Sequence, residues 1–160
     1  MKKIKIFLGL GSNVGNKINN IQKAIILLSE KIQDIQVAKF YESKAVGYEN
    51  QENFINTAIK GYTDLDIKSL FEFTKDVEKK VGRIFRFKWG PREIDIDILF
   101  YDNLIYKDSN IEIPHPRIVE RDFVLKPLLD LEPDFIHPVL KKSIKQLYDE
   151  LKDKSIIKEI

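Results

Sequence analysis

The sequence has no cysteine, which excludes disulfide bonds and metal sites built on thiolates. It has no apolar run long enough to span a bilayer, and its first residues alternate with charge in a way not typical of a signal peptide. It also lacks a charge imbalance: 27 Lys and Arg against 25 Asp and Glu leave +2, too little to indicate nucleic-acid binding by itself. These absences predict a cytoplasmic protein whose residues 1–160 form one domain with no membrane segment.

The apolar residues that are present follow strand and helix periods in a regular order. In chain order, the predicted elements are a strand at 4–10, a helix at 17–32, strands at 35–42 and 54–62, a helix from about 65 to 81 and a strand at 94–100. A short strand at about 104–106, a turn of helix at 121–123 and a helix at about 143–151 follow. Two consecutive strands between two βα units are the split βαβ pattern. We therefore predict an α+β fold, a ferredoxin-like βαββαβ sandwich with extra C-terminal strand and helix elements.

Two segments are interpreted as structural. The glycine-rich run from Gly9 to Asn16 has a spacing one residue off the dinucleotide-binding fingerprint and lacks the acidic residue which that motif requires on a second strand. It predicts a tight strand-to-helix turn with Asn16 as the helix N-cap. Lys75 and Glu78 lie one turn apart on the second predicted helix and are interpreted as a solvent-exposed ion pair.

The most informative stretch is W-G-P-R-E-I-D-I-D-I-L-F, residues 89–100. Its alternation predicts a half-buried strand, with Ile94, Ile96, Ile98 and Phe100 on one face and the acidic residues on the other. Side chains two residues apart lie roughly 7 Å apart on one face of a strand, so the carboxylates at positions 95 and 97 project into the same space. Two such carboxylates repel each other unless a cation lies between them. Mg²⁺ is the cation that oxygen ligands of this kind hold, usually together with substrate phosphates.

The residues around this pair favour a nucleotide triphosphate site over an ordinary strand surface. Arg83, Arg86, Lys88 and Arg92 precede or adjoin the pair, and Trp89 lies among them. Cations bind phosphate oxygens, and an aromatic plane can stack on a flat ring. Further along, His115 lies between two prolines in an extended loop, where a functional role is as well supported as a structural one.

With these motifs placed, the sequence resembles the 6-hydroxymethyl-7,8-dihydropterin pyrophosphokinases of folate biosynthesis. The resemblance covers nearly the whole chain through L-G-x-G-S-N, F-Y-E-S, F-I-N-T-A, W-G-P-R-x-I-D-I-D-I-L, I-P-H-P-R and R-D-F-V-L-x-P-L. It implies the same βαββαβ core, transfer of the diphosphate of ATP to the hydroxymethyl group of the pterin, release of AMP, and two Mg²⁺ ions. ATP is then a co-substrate, and no nucleic acid or membrane partner is implied.

The resemblance also implies roles for individual residues. The implied metal ligands are Asp95 and Asp97, and these two, with Arg83 and Arg92, are the implied catalytic residues. The residues implied for the pterin are Ser43, Lys44, Val46, Phe54, Asn56, Trp89 and Phe123. Those implied for ATP are Lys75, Glu78, Arg86, Lys88, Trp89, Arg92, Ile98, His115 and Arg121. Metals and cations that position the oxygens are expected to suffice for such a transfer, so no general base is nominated.

Two further expectations concern the surroundings of the site. Loops 43–53 and 82–92 are hypothesised to be lids that exclude water, with Gly47 and Gly82 as hinges. The enzyme is expected to act as a monomer.

Two other classes of function remain open on the sequence alone. A ferredoxin-like sheet that carries R-I-F-R-F-K-W, basic and aromatic residues interleaved, is also compatible with a module that stacks nucleic-acid bases. Against this, the characteristic motifs of such modules are absent, and the two carboxylates would repel phosphates unless metals were bound. A metal-dependent phosphohydrolase is the other alternative, and it differs in having water rather than a pterin as the acceptor.

Overall fold

An antiparallel sheet with helices on both faces organises the chain. The computed structural model describes residues 3–45, 50–152 and 154–160. In chain order the elements are β1 (Ile4–Ser12), α1 (Lys17–Leu28), β2 (Gln33–Val37), β3 (Tyr41–Ser43), β4 (Phe54–Thr63), α2 (Ile67–Val81), β5 (Asp95–Tyr101), β6 (Tyr106–Lys107), β7 (Glu112–Ile113), a 3-10 turn (Ile118–Glu120), α3 (Asp122–Leu131), α4 (Ile144–Asp149) and β8 (Ile156–Glu159).

Within the described residues, six strands form the main sheet. Its order is β5-β1-β4-β3-β8, and β2 also pairs with β4. The central strand β1 is antiparallel to both of its neighbours. This arrangement confirms the predicted βαββαβ core, with β2 and β3 sharing the place of the single strand predicted at 35–42. The strand is interrupted between β2 and β3. The prediction therefore located the segment correctly but was wrong in treating it as one continuous strand.

Each face of the sheet has its own apolar core. On one face, α1 and α2 cover residues such as Ile6, Ile59 and Ile96, all buried. On the other face, α3 and α4 cover a second cluster that includes Phe7 and Leu99. Because the second cluster occupies only part of its face, the remainder stays open beside the N-terminal end of β5.

The N-cap of α1 agrees with the sequence pattern, whereas α1 ends at Leu28, four residues before the predicted end at residue 32. The Asn16 side chain accepts a hydrogen bond from the Asn19 N–H at 3.1 Å, and Asp66 caps α2 by accepting from the Ser69 N–H at 2.8 Å. Gly82 ends α2 with φ of 114°, the left-handed conformation that glycine adopts without strain.

The glycine-rich segment is not the turn that the sequence analysis predicted. Strand β1 continues through Gly9 and Gly11 to Ser12, and only Gly15 lies in the turn, with φ of 71°. The strand persists because its pairing with β4 and β5 continues along this length, and these backbone hydrogen bonds outweigh the weak strand preference of glycine.

A register shift in β5 corrects the predicted faces of that strand. Phe7 of β1 pairs with Phe100, whereas Leu8 pairs with Ile98, so Leu99 is an extra residue. Ile98 packs under α1 and α2, but both Leu99 and Phe100 belong to the opposite core. Phe100 therefore does not share a face with Ile98 as predicted, because a β-bulge reverses the alternation.

The C-terminal third contains more structure than its pattern predicts. The turn of helix predicted at 121–123 is the start of the ten-residue α3, which accommodates Pro127. The short strand near residue 106 pairs with β7 instead of returning along β5, and β8 closes one edge of the sheet. None of the helices in the described ranges combines the length and apolar character needed to cross a bilayer.

Candidate active site

Three neighbouring strands, β4, β1 and β5, form a floor whose centre is made of glycine. Strand pairing places Gly11 between Asn56 and Asp95, and it places Gly9 beside Asp97 on the next rung of the same face. Because neighbouring strands are about 4.8 Å apart, the backbones that carry the amide and the carboxylates are separated by about 10 Å. The floor is therefore open in the middle and polar at both sides.

Gly11 is required by the close approach of its neighbours. A Cβ at this position would lie 2.9 Å from Asn56 Oδ1 and 3.4 Å from the Phe54 ring. The sequence analysis assigned no function to this glycine because the run was interpreted as a turn. The signal that was available is the strand alternation, which continues through L-G-L-G-S without a break.

The cavity above this floor, here called the aromatic pocket, contains five of the seven residues implied for the pterin. These are Lys44, Phe54, Asn56, Trp89 and Phe123, and the same cavity is lined by Arg92, Asp95, Asp97 and Arg121. Ser43, the sixth, is buried and lies behind the wall. Its hydroxyl accepts a hydrogen bond from Asn56 Nδ2 at 2.7 Å, so it orients the amide. Val46, the seventh, and Gly47 lie outside the described residues.

The two carboxylates of β5 differ in their surroundings. Asp95 is held by two guanidinium groups, with Arg83 at 3.1 Å and Arg92 at 3.0 Å. Asp97 has no cation so close among the described residues, and its nearest ionisable partner there is His115, 3.9 Å away. Withdrawal from bulk water, and then the charge of Asp95, raise the pKa of Asp97 to about 7. A cation placed between the two groups would relieve this repulsion.

Glu78 lies beneath the carboxylates and is not the solvent-exposed residue predicted from its spacing to Lys75. Only 3% of it is exposed. Its Oε1 contacts Arg83 at 2.9 Å and Lys75 at 3.4 Å, and its Oε2 accepts the Ile96 N–H at 2.8 Å. Burial raises the pKa of Glu78, against the opposing effect of Lys75. The prediction was wrong because α2 presents this residue to the start of β5, which helical spacing alone does not show.

A second cavity, here called the His115 pocket, opens on the other side of Asp97. It contains Lys75, Asp97, Ile98 and His115, four residues implied for ATP or metal. Burial, and then the charge of Arg121, lower the pKa of His115 to about 4. Its Nδ1 accepts the Arg117 N–H at 3.2 Å, which assigns the proton of the neutral ring to Nε2. Asp97 therefore lines both cavities, and Nε2 of His115 points towards it.

Asn13 connects the strand floor to the two loops that border the aromatic pocket. Its side chain donates to Gln51 at 2.6 Å and accepts the Arg92 N–H at 2.8 Å. Gln51 in turn donates to the Trp89 carbonyl at 2.8 Å. Asn13 is nearly fully buried, so one amide fixes parts of both predicted lids. The sequence analysis did not single out this residue, although it lies in the quoted L-G-x-G-S-N motif.

The remaining loop cations do not converge on the carboxylates. Arg86 forms two hydrogen bonds with Glu93, at 3.1 and 2.5 Å. Together with Lys88 it lines a depression on the 83–92 loop that Arg83 and Arg92 also line, and Lys88 Nζ lies 5.7 Å from the Trp89 ring centroid. Five basic residues before position 100 were predicted near the phosphates. The structure places Arg83 and Arg92 against Asp95 and Lys75 against Glu78. The other two, Arg86 and Lys88, form no ion pair with either carboxylate of β5 within the described residues.

The aromatic walls of the pocket carry cations on their faces. Arg92 lies 5.3 Å from the Phe54 ring centroid, and Arg121 lies 5.5 Å from that of Phe123. Cation–π contacts of this kind leave planar guanidinium groups available for stacking on a flat ligand or for binding phosphate.

Comparison with known proteins gives one consistent result. The family model described as 7,8-dihydro-6-hydroxymethylpterin-pyrophosphokinase matches residues 7–133. The chain is 48% identical over 145 residues to the 2-amino-4-hydroxy-6-hydroxymethyldihydropteridine pyrophosphokinase of Aquifex aeolicus, with 91% of each chain covered. It is also 48% identical over 136 residues to the Dictyostelium discoideum folic acid synthesis protein FOL1, of which it covers only 20%.

The fold has a solved counterpart. The crystal structure of Plasmodium falciparum HPPK-DHPS with pterin and p-hydroxybenzoate matches with a TM-score of 0.73 and 19% sequence identity. The match covers 94% of this chain and 42% of that one. At this identity the likeness establishes the ferredoxin-like architecture and nothing finer.

Proposed function

Since the chain belongs to the 7,8-dihydro-6-hydroxymethylpterin-pyrophosphokinase family, we propose that its two cavities divide the two substrates of that enzyme between them. The activity is transfer of the diphosphate group of ATP to the hydroxymethyl group of 6-hydroxymethyl-7,8-dihydropterin, with release of AMP, a step of folate biosynthesis. The observation that carries the division is that Asp97 lines both cavities. The transferred group must pass from one substrate to the other at such a junction.

The aromatic pocket is the pterin site. Phe54 and Phe123 can stack on a flat heterocycle once Arg92 and Arg121 leave the ring faces that they cover here, and aromatic stacking contributes about 1 kcal/mol beyond area burial. Gly11 leaves the floor free for close approach. The Asn56 amide, oriented by Ser43, supplies a donor and an acceptor together, which suits the polar edge of a pterin.

The His115 pocket takes the nucleotide, with the phosphates directed towards Asp97. Lys75 and Arg121 lie near this junction and supply positive charge. His115 is neutral, because its pKa is lowered to about 4, so its Nε2–H can donate to a phosphate or ribose oxygen without adding charge.

The carboxylates fit two Mg²⁺ ions held jointly with ATP. No cluster of three or more potential metal ligands is found among the described residues, so we assign the metal ions to the pair Asp95 and Asp97. Mg²⁺ is commonly bound through one or two carboxylates plus substrate phosphates, and Asp95 and Asp97 provide two such carboxylates. Bound there, the metal supplies charge neutralisation for the diphosphate oxygens.

The chain's own residues position the reactants. The hydroxymethyl oxygen attacks the β-phosphorus, the bond from that phosphorus to the oxygen bridging to the α-phosphate breaks, AMP leaves with that oxygen, and the hydroxyl proton is released, finally to solvent. Arg83 and Arg92, both within 3.1 Å of Asp95, can turn from the carboxylate to the phosphates when cations occupy the carboxylate. Loop residues fixed through Asn13 exclude water from the junction. We further propose that residues 1–160 act as one domain and that the enzyme works as a monomer in the cytoplasm.

A nucleotide assay tests the proposal. Purified protein with Mg-ATP should form AMP only when the reduced hydroxymethylpterin is present, and Asp95→Ala and Asp97→Ala should each lower turnover by about 10³-fold or more. Asp102→Ala, in the exposed turn after β5, is the control and should keep wild-type turnover. Formation of ADP, or nucleotide cleavage independent of the pterin, would indicate a phosphohydrolase instead.

A further inference from the structure

Ser155 contacts both sides of the aromatic pocket although it lies far from the pocket in sequence. Its carbonyl accepts the Lys44 N–H at 3.2 Å. Its own N–H and hydroxyl both donate to the carboxylate of Asp122, each at 2.8 Å. Lys44 lines the pocket, as does Phe123, the residue that follows Asp122. One residue of the C-terminal segment therefore links two walls of the site.

Asp122 is the anchor of this link. It is the first residue of α3, and only 1% of it is exposed. A third donor, the Ile156 N–H, reaches it at 2.9 Å. A buried carboxylate is costly unless its hydrogen bonds are satisfied, and bonds to an ionised acceptor are about twice as strong as neutral ones. The three bonds thus hold the N-terminal end of α3 firmly to the C-terminal segment.

The same segment also supports the polar edge of the pocket. Strand β8 pairs with β3, and Ile156 is the partner of Ser43. Ser43 accepts the hydrogen bond that orients Asn56. The C-terminal segment consequently reaches the pocket by two routes, one through Asp122 to Phe123 and one through Ser43 to Asn56.

The opposite end of α3 offers a natural contrast. Asp130 accepts hydrogen bonds from the Tyr41 hydroxyl at 2.6 Å and from the Lys39 N–H at 3.2 Å. It ties the same helix to the same edge of the sheet, but none of these three residues lines the aromatic pocket. Helix α3 is therefore fixed at both ends, and the end at Asp122 is the one that carries the pocket residue Phe123.

We propose that Asp122 and Ser155 are positioning residues that set the spacing between Phe123 and the Ser43–Lys44 wall, and through it the affinity for the flat heterocyclic substrate. This inference rests on the proposed function, since it takes the aromatic pocket as the pterin site. It adds a role for the C-terminal strand, whose residues do not themselves line the pocket.

The test compares Asp122→Ala with the matched control Asp130→Ala. Each removes the carboxylate from one end of the same helix. Asp122→Ala should raise the KM for the pterin by about tenfold, and clearly more than the KM for Mg-ATP, because Phe123 depends directly on this anchor while Arg121, its other neighbour, is only one of the cations at the junction. Asp130→Ala should leave both KM values within about twofold. The melting temperature of each variant is measured alongside, so that a loss of stability is separated from a loss of affinity.

A milder variant keeps the test decisive if Asp122→Ala does not fold. Ser155→Ala removes one donor and keeps the two backbone donors, and should raise the pterin KM by about two- to threefold. Equal pterin KM values for the Asp122 and Asp130 variants, or a Ser155→Ala variant altered only in melting temperature, would overturn the inference. A wild-type protein that does not convert the pterin would instead reject the proposed function.

Discussion

The two halves of the active site are held in different ways. The floor lies on β1, β4 and β5, where every backbone position is fixed by strand pairing on both sides of β1. The 82–92 loop, which carries Trp89 and Arg92, is fixed mainly by side chains, above all by Asn13 and Gln51. Strand-borne groups are pre-organised for binding, whereas loop-borne groups can move with the ligand. We therefore expect the floor to govern recognition of the heterocycle and the loop to govern closure over it.

The largest effect should come from filling the floor. Gly11→Ala places a Cβ 2.9 Å from Asn56 Oδ1, so the amide must move, and we expect the KM for the pterin to rise by about 100-fold. Binding of Mg-ATP, measured by calorimetry, should change little. Gly9→Ala is the control, because its Cβ meets Leu99 at an ordinary 3.5 Å. A Gly11→Ala variant that keeps the pterin affinity of the wild type would show that the floor does not govern recognition.

The next effect should come from releasing the loops. Asn13→Ala removes the side-chain bonds to Gln51 and to the Arg92 N–H, and we expect kcat/KM to fall by about 10- to 30-fold. Amide hydrogen exchange should rise in the loops and stay unchanged in β1. Asn20→Ala is a matched control, since Asn20 bonds Ser12 and the Val14 carbonyl but neither loop. If amide hydrogen exchange in the loops is unchanged in Asn13→Ala, Asn13 does not hold the two loops in place.

A smaller effect concerns acid stability near the His115 pocket. Burial lowers the pKa of His115 from 6.5 to about 4, so the unfolded chain binds the proton more readily between these values. The contribution to stability is complete above pH 6.5 and is lost as the pH falls towards 4. Lowering the pH from 7 to 5 should therefore reduce the free energy of unfolding by about 1–2 kcal/mol through this residue.

Urea unfolding in the absence of Mg²⁺ and nucleotide measures this effect. His115→Asn removes this contribution, so the change in the free energy of unfolding from pH 7 to pH 5 should be about 1–2 kcal/mol less unfavourable in the variant than in the wild type. Asp97, with its raised pKa, contributes with the opposite sign in the wild type. The same pH slope in both proteins would mean that His115 titrates normally in the folded state.

The smallest effect is expected at the tip of the loop. Arg86 is engaged by Glu93 and lies apart from the carboxylates, so Arg86→Ala should lower kcat/KM by about threefold or less. Arg92→Ala, at the junction of loop and floor, should lower it by about 100-fold. Comparable losses in the two variants would show that the loop rearranges to bring Arg86 to the phosphates.

The sequence was most informative where local rules determine the outcome. Period-two and helical patterns located the βαββαβ core, and Asn16 and Gly82 marked helix ends through capping chemistry. The position of Asp95 and Asp97 on one face follows from the same period. These features depend on residues near each other in the chain, so the pattern contains the information.

The features that the sequence did not predict depend on contacts between residues that are distant in the chain. Glu78 becomes buried only because α2 packs against the start of β5, and Gly11 becomes part of the floor only because two other strands pair beside it. Helix α3 is longer than the turn predicted at 121–123, and it accommodates Pro127. No spacing in the sequence indicates that Ser155 reaches Asp122.

The β-bulge at Leu99 determines which mutations strand β5 can tolerate. Before the bulge, the outward side chains of this strand are the two carboxylates; after it, Phe100 turns into the core under α3 and α4. On this face, the first half of β5 therefore carries the carboxylates of the site, and the second half carries a core residue. Substitutions on the chemical side leave the packing of the other half undisturbed, so the reaction could be altered by mutation without a penalty in folding. A deletion of Leu99, by contrast, would shift one half against the other and damage both at once.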